Sequence, residues 1–175
     1  LALAGARYPR LGVPVGADGW TALNPQSDSL IVYVSASFGN DANAGTSPAT
    51  PKRTLAAAYA LLRDGMPDWM LLRAGDVWTE ALPWWGKSGR SLQGPMVVAS
   101  YGGGERPLLQ TGVAPAFQTA AFAAVPRQHI VLADLHFLAH TNDGSGISAG
   151  VEVTNGVTDL LIENCLIERY PVNIA

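Results

Sequence analysis

One pattern constrains this chain more than any other: a stretch of alternating apolar residues that returns thirty positions later. Gln128-His129-Ile130-Val131-Leu132-Ala133-Asp134-Leu135-His136-Phe137-Leu138 aligns with Thr158-Asp159-Leu160-Leu161-Ile162-Glu163-Asn164-Cys165-Leu166-Ile167-Glu168. Ile130, Leu132, Leu135 and Phe137 fall on Leu160, Ile162, Cys165 and Ile167. Each set alternates with period 2, then skips one residue at Ala133-Asp134 or Glu163-Asn164, as a strand does when it turns a corner and keeps its apolar side inward. Asp and Asn suit such corners because they tolerate left-handed backbone. The preceding stretches also align, Phe122 and Ala124 over Val151 and Val153. A unit of short strands recurring at a fixed spacing, each burying its face on the next, is a stacked β-solenoid. Sandwich hairpins need not recur at a fixed period.

The remaining elements agree. Leu30–Ser35 is β-branched and aromatic and reads as a strand ending in the turn-rich Phe38–Thr46. Thr54 reads as an N-cap, and Leu55, Ala58, Tyr59 and Leu62 form one apolar stripe that Gly65 and Pro67 terminate. That helix has no second helix to pack on, so its face must cover strands. Downstream come short strand-like runs: Trp69–Arg73, Met96–Tyr101, Pro107–Gln110, Ala121–Val125, His129–Ala133, Leu135–Leu138, Gly150–Thr154, Leu160–Glu163 and Cys165–Glu168. No helical pattern separates them, which excludes a doubly wound α/β sheet. Residues 1–29, with Pro9, Pro14 and Pro25 and no sustained period, read as an extended arm with Trp20 as its anchor.

Composition removes several function classes. The chain has 175 residues, 48% hydrophobic and 14% charged, too apolar for a disordered protein. No run approaches the roughly 20 apolar residues of a membrane-spanning helix. Eleven basic and fourteen acidic side chains, without a basic run, give no nucleic-acid footprint. The single Cys165 excludes an internal disulfide and a cysteine-based zinc cluster. Residues 107–175 hold two basic side chains against six acidic ones, so the C-terminal part is mildly acidic.

The segment from Ile31-Val32-Tyr33-Val34-Ser35 through Gly39-Asn40-Asp41-Ala42-Asn43-Ala44-Gly45-Thr46 and Pro51-Lys52-Arg53-Thr54-Leu55 to Leu71-Leu72-Arg73-Ala74-Gly75-Asp76-Val77-Trp78 resembles the N-terminal module of pectate-lyase-like right-handed parallel β-helix proteins. The rungs around Leu161-Ile162-Glu163-Asn164-Cys165-Leu166-Ile167 are similar to that superfamily's repeats. The resemblance covers residues 30–175. It implies an all-β, right-handed parallel β-helix with an amphipathic capping helix, secreted or on the cell surface. Such proteins carry many more rungs, so the expectation here is a cap plus the first rungs of an incomplete solenoid. An open last rung then expects further chain or self-association. No catalytic motif carries over residue by residue.

Candidate chemistry comes from the polar residues of the rungs. His136 lies between inward Leu135 and Phe137 and so points outward, His140 and Asp143 lie on the long loop 139–149, Glu152 projects from the next strand, and Arg169 lies on the matching loop one rung later. Carboxylate, imidazole and guanidinium along one groove are what elimination or hydrolysis of an acidic sugar polymer needs. The catalytic candidates are therefore His140, Asp143, Glu152 and Arg169. His136, Trp84 and Trp85 are candidates for binding the polymer, with the tryptophans equally readable as core of the cap. Ordinary polar decoration of a rung surface is the alternative for the whole cluster. Asp41-Ala42-Asn43-Ala44-Gly45 has the spacing of a calcium-loop start, but Lys52 stands where a bidentate Glu is needed, so the loop reads as a turn and calcium stays open as a cofactor. Tyr101-Gly102-Gly103-Gly104-Glu105-Arg106-Pro107 reads as a turn.

Two functions follow as expectations. One is a secreted carbohydrate-active protein, lyase-like or a glycoside hydrolase, with an extended polysaccharide as partner. The other is a non-catalytic structural or adhesive module that stacks into a larger extracellular assembly.

Overall fold

A computed structural model describes residues 15–17, 19–119, 126–143, 149–154 and 156–175. Among these the chain forms β1 (Ile31–Val34), α1 (Leu55–Leu61), β2 (Trp69–Arg73), β3 (Val77–Trp78), β4 (Met96–Tyr101), β5 (Leu108–Gln110), β6 (Phe117–Gln118), β7 (Arg127–Ala133), β8 (His136–Leu138), β9 (Ala149–Glu152), β10 (Val157–Glu163), β11 (Leu166–Glu168) and β12 (Val172–Ile174). They build three sheets, β1-β2-β4-β7-β10, β3-β5-β8-β11 and β6-β9-β12. Every strand pair within them is parallel. From β4 onward the chain visits the three sheets in the same order on each of three successive circuits.

The register is the one the repeat requires. Leu160 pairs with Ile130, Ile162 with Leu132 and Ile167 with Phe137. Residues of one type of position stack into continuous columns. Val32, Met70, Val98, Leu132 and Ile162 run across the first sheet, and Trp78, Leu109, Phe137 and Ile167 across the second. Both columns belong to one core. The corners also behave as expected: Asp134 and Asn164 both adopt left-handed backbone, with φ of 57° and 52°, and the Asn164 amide donates to the Asp134 carboxylate across the two circuits. A second corner was not foreseen. His129 and Asp159 are both left-handed, with φ of 54° and 64°, and their side chains meet at 2.9 Å.

One expectation needs correction. Val151 pairs with Phe117 rather than with a residue near Phe122, because the third strand of a circuit is joined to its chain neighbours by loops whose length need not repeat. The expected strand 121–125 lies outside the described residues. The strands β3 and β6 are two residues long, too short to show a period.

The helix covers the β1 end of the stack. The Thr54 hydroxyl accepts the Ala57 N–H, Leu55, Ala58 and Leu62 are buried in the core, and Lys87 Nζ closes the other end by donating to the carbonyls of Tyr59 (2.7 Å) and Leu62 (2.5 Å). The helix stops at Leu61, with extended backbone at Leu62 and the left-handed Gly65 three residues on.

The first sheet is apolar on both faces. Its outer side carries Trp69, Val97, Ala99, Val131 and Ala133, on which Leu23 packs. Its strands accordingly read as nearly continuous apolar runs, as strands buried on both sides do. At the other end of the stack, Leu166, Val172 and Ile174 are exposed.

Candidate functional site

The predicted cluster divides. His136 stands on the outer side of β8 with Nε2 2.7 Å from the Glu168 carboxylate. His140 Nδ1 accepts the Gly112 N–H at 3.1 Å, which leaves Nε2 as the ring's other polar position. The Arg169 guanidinium donates to the backbone carbonyls of His140 (3.1 Å) and Asn142 (3.0 Å), and Asn142 Nδ2 donates back to the Arg169 carbonyl at 2.9 Å. This exchange staples the loop after β8 to the next circuit. Asp143 joins Arg169, Asn142, Tyr170 and Pro171 around a recess of about 400 Å³. The structure thus brings Asp143 and Arg169 together, while His140 meets Arg169 only through its backbone carbonyl and does not line the recess. Glu152 ends β9 in the third sheet and does not line that recess.

The tryptophans divide as well. Trp84 is 59% exposed, whereas Trp85 is 0% exposed and packs between Tyr59 (4.9 Å) and Phe117 (5.5 Å). Trp85 is therefore core and offers no face to a sugar, because neighbouring residues of an extended chain point to opposite sides. Asp41 is occupied structurally: its carboxylate accepts the N–H groups of Arg53 (2.8 Å) and Thr54 (3.0 Å) and the Thr54 hydroxyl (2.8 Å). It ties the loop to the start of α1. Among the described residues no group of three His, Cys, Asp or Glu side chains is placed to hold a metal.

A larger groove lies elsewhere. Two clefts, of about 640 Å³ and 510 Å³, share Ser100, Asp134 and Asn164 and so adjoin at the corner between the first and second sheets. The first runs into the loop after β4, where Gly102 and Gly104 have φ of 81° and 127° and Glu105 and Arg106 form a wall. Arg106 donates through Nε to the Asn164 carbonyl (2.8 Å) and through Nη2 to Asn164 Oδ1 (2.5 Å). Since the Asn164 amide also donates to Asp134, guanidinium, amide and carboxylate form one chain of polar contacts across three circuits. The second cleft has an apolar floor of Trp69, Leu71, Ala99 and Ala133. Its roof is the strap 19–23, whose Thr21 N–H donates to both Glu163 carboxylate oxygens at 3.0 and 3.2 Å. Trp20, 37% exposed, lines it from the strap.

Sequence reasoning missed this groove. From sequence, Trp20 is only an anchor of the arm and Glu105-Arg106 only part of a turn. Asp134, Glu163 and Asn164 are visible there only as corner residues. Together these form a cleft with an apolar floor, an aromatic edge and convergent polar groups, the usual make-up of a ligand site. Cys165, half-buried beside it in sequence, is a poor nucleophile: burial pushes its thiol up to about 11.

No family model and no curated protein matches the chain. Among solved structures, it is similar to the GH136 lacto-N-biosidase from Eubacterium ramulus, with a TM-score of 0.53 and 20% identity over 77% of this chain. It is similar also to a rhamnogalacturonan lyase, with a TM-score of 0.51 and 17% identity over 78% of this chain. The match spans 27% of the biosidase and 37% of the lyase. At these identities the likeness is one of fold.

Proposed function

We propose that residues 30–175 are the capped beginning of a right-handed parallel β-helix, and that this secreted or cell-surface protein binds an extended polysaccharide in the groove between the strap and the first sheet. Three parallel sheets visited in fixed order support the architecture. The two fold neighbours are by name carbohydrate-active, which supports the ligand class. The observation that carries the reading is the groove itself. Trp20 and the floor at Trp69 and Leu71 supply surface for sugar C–H groups, while Asp134, Asn164 and Arg106 supply donors and acceptors for hydroxyls. An aromatic face beside a few convergent polar groups is what a binding site uses to fix an orientation. His140, Asp143 and Arg169 remain a second candidate locus for acid–base work on the same polymer.

Calorimetric titration with a panel of soluble oligosaccharides tests the site. Trp20→Ala and Asp134→Asn should each weaken binding by about tenfold or more, the loss of about 1.4 kcal/mol. Asn is chosen because it tolerates the left-handed backbone of Asp134. Binding that survives both variants and is lost in Asp143→Ala would move the site to the recess at Arg169.

A further inference from the structure

We infer that the groove selects an electrically neutral glycan and rejects polyuronates, in contrast to the acidic polymer considered for the residues around His140 and Arg169. This rests on reading the groove as a glycan site. Glu105, Asp134 and Glu163 line its two clefts, and Arg106 is the single cation that does so among the described residues. That guanidinium is already engaged through Nε and Nη2 with Asn164. A uronate carboxylate entering the groove meets three formal negative charges against one positive charge, two of whose five N–H donors already bond Asn164. Exposed like charges repel within a Debye length, about 10 Å at 0.1 M salt, and a polymer with one carboxylate per sugar brings several charges into that range at once.

A neutral ring meets the opposite situation. Carboxylate and amide oxygens accept hydrogen bonds from vicinal hydroxyls, and the apolar floor of Trp69, Leu71, Ala99 and Ala133 covers C–H surface. The Thr21 N–H already occupies the Glu163 oxygens, so Asp134, at the junction of the clefts, is the principal acceptor. Trp20 then fixes which side of the ring faces the strap.

The test is a calorimetric comparison of gluco-, xylo-, manno- and galacto-oligosaccharides with oligogalacturonate and oligoguluronate at low and at high salt. The expected result is a neutral member binding at least tenfold tighter than either uronate, with the gap narrowing as salt screens the repulsion, and with binding lost in Trp20→Ala. Glu105→Lys should shift the uronate-to-neutral affinity ratio toward uronate by at least fivefold. A uronate binding as tightly as the best neutral sugar, in a manner that Trp20→Ala abolishes, overturns the selectivity and leaves the glycan site standing. Binding that Trp20→Ala leaves intact, or no binding by any member, overturns the groove reading and the selectivity with it.

Discussion

At the scale of single residues, two carboxylates show how the cap tolerates buried charge. The Asp68 side chain is fully buried and accepts the Leu30 N–H (2.9 Å), the Arg63 N–H (2.8 Å) and two guanidinium contacts from Arg63 (2.5 and 2.9 Å). Asp76 accepts the hydroxyls of Ser35 (2.6 Å) and Ser37 (2.7 Å). Burial pushes both acids up, but these hydrogen bonds and the neighbouring arginines outweigh it and hold both below the ordinary carboxylate range. A depressed folded-state pKa contributes stability that is present above the unfolded value, about 3.9, and is lost as pH falls through the folded one. Urea denaturation should therefore show stability falling steeply below about pH 4, and Asp68→Asn should flatten that fall while costing about 1–3 kcal/mol at pH 7. A variant within 0.5 kcal/mol of the parent would mean Asp68 organises nothing. Cys165 gives a second check at this scale. With its thiol at about 11, alkylation at pH 8 should run on the order of a hundredfold slower than in urea, from the thiolate fraction alone. Equal rates would contradict its burial. The corners at Asp134 and Asn164 were legible because those residue types favour left-handed backbone. The one at His129 and Asp159 was not, since both stand just before the apolar alternation begins, where no skipped residue marks a corner.

Elements were legible where they were long or capped. Thr54, the stripe of Leu55, Ala58 and Leu62, and Gly65 announced the helix, and the structure places that stripe in the core. Leu62→Ala should cost about 2–5 kcal/mol as a core truncation. A loss under 0.5 kcal/mol would mean the helix is peripheral. The adjacent tryptophans give a sharper contrast. Trp85→Ala should cost about 3–5 kcal/mol, whereas Trp84→Ala should stay within about 0.5 kcal/mol of the parent. Comparable losses for both would contradict the placement of Trp85 between Tyr59 and Phe117. Sequence alone left the two equivalent, because a bridge such as that from Trp85 to Thr119 spans too few residues to fix which side faces inward. The misplaced partner of Val151 has the same origin: the two-residue β6 offers no period to align.

At the scale of the molecule, the thirty-residue repeat specified the stacking but not its outer surface. Continuous apolar runs such as Ile130-Val131-Leu132 carried a further message, that the first sheet is covered on both faces, and Leu23 packs on that outer side. The groove stayed hidden for a different reason. Trp20 and Thr21 lie 142 or more residues from Glu163 in the chain and become neighbours only because β10 is the fifth strand of the sheet that the strap crosses. No local pattern reports such a meeting. The central claim, that a glycan lies between strap and sheet, can be read directly from amide chemical-shift changes when the best-binding oligosaccharide is added to labelled protein. The account predicts shifts concentrated at Trp20, Thr21, Ser100, Glu105, Asp134 and Asn164, with His140, Asp143 and Arg169 unmoved. Shifts confined to the recess around Asp143 and Arg169, or scattered without relation to the groove, would contradict it.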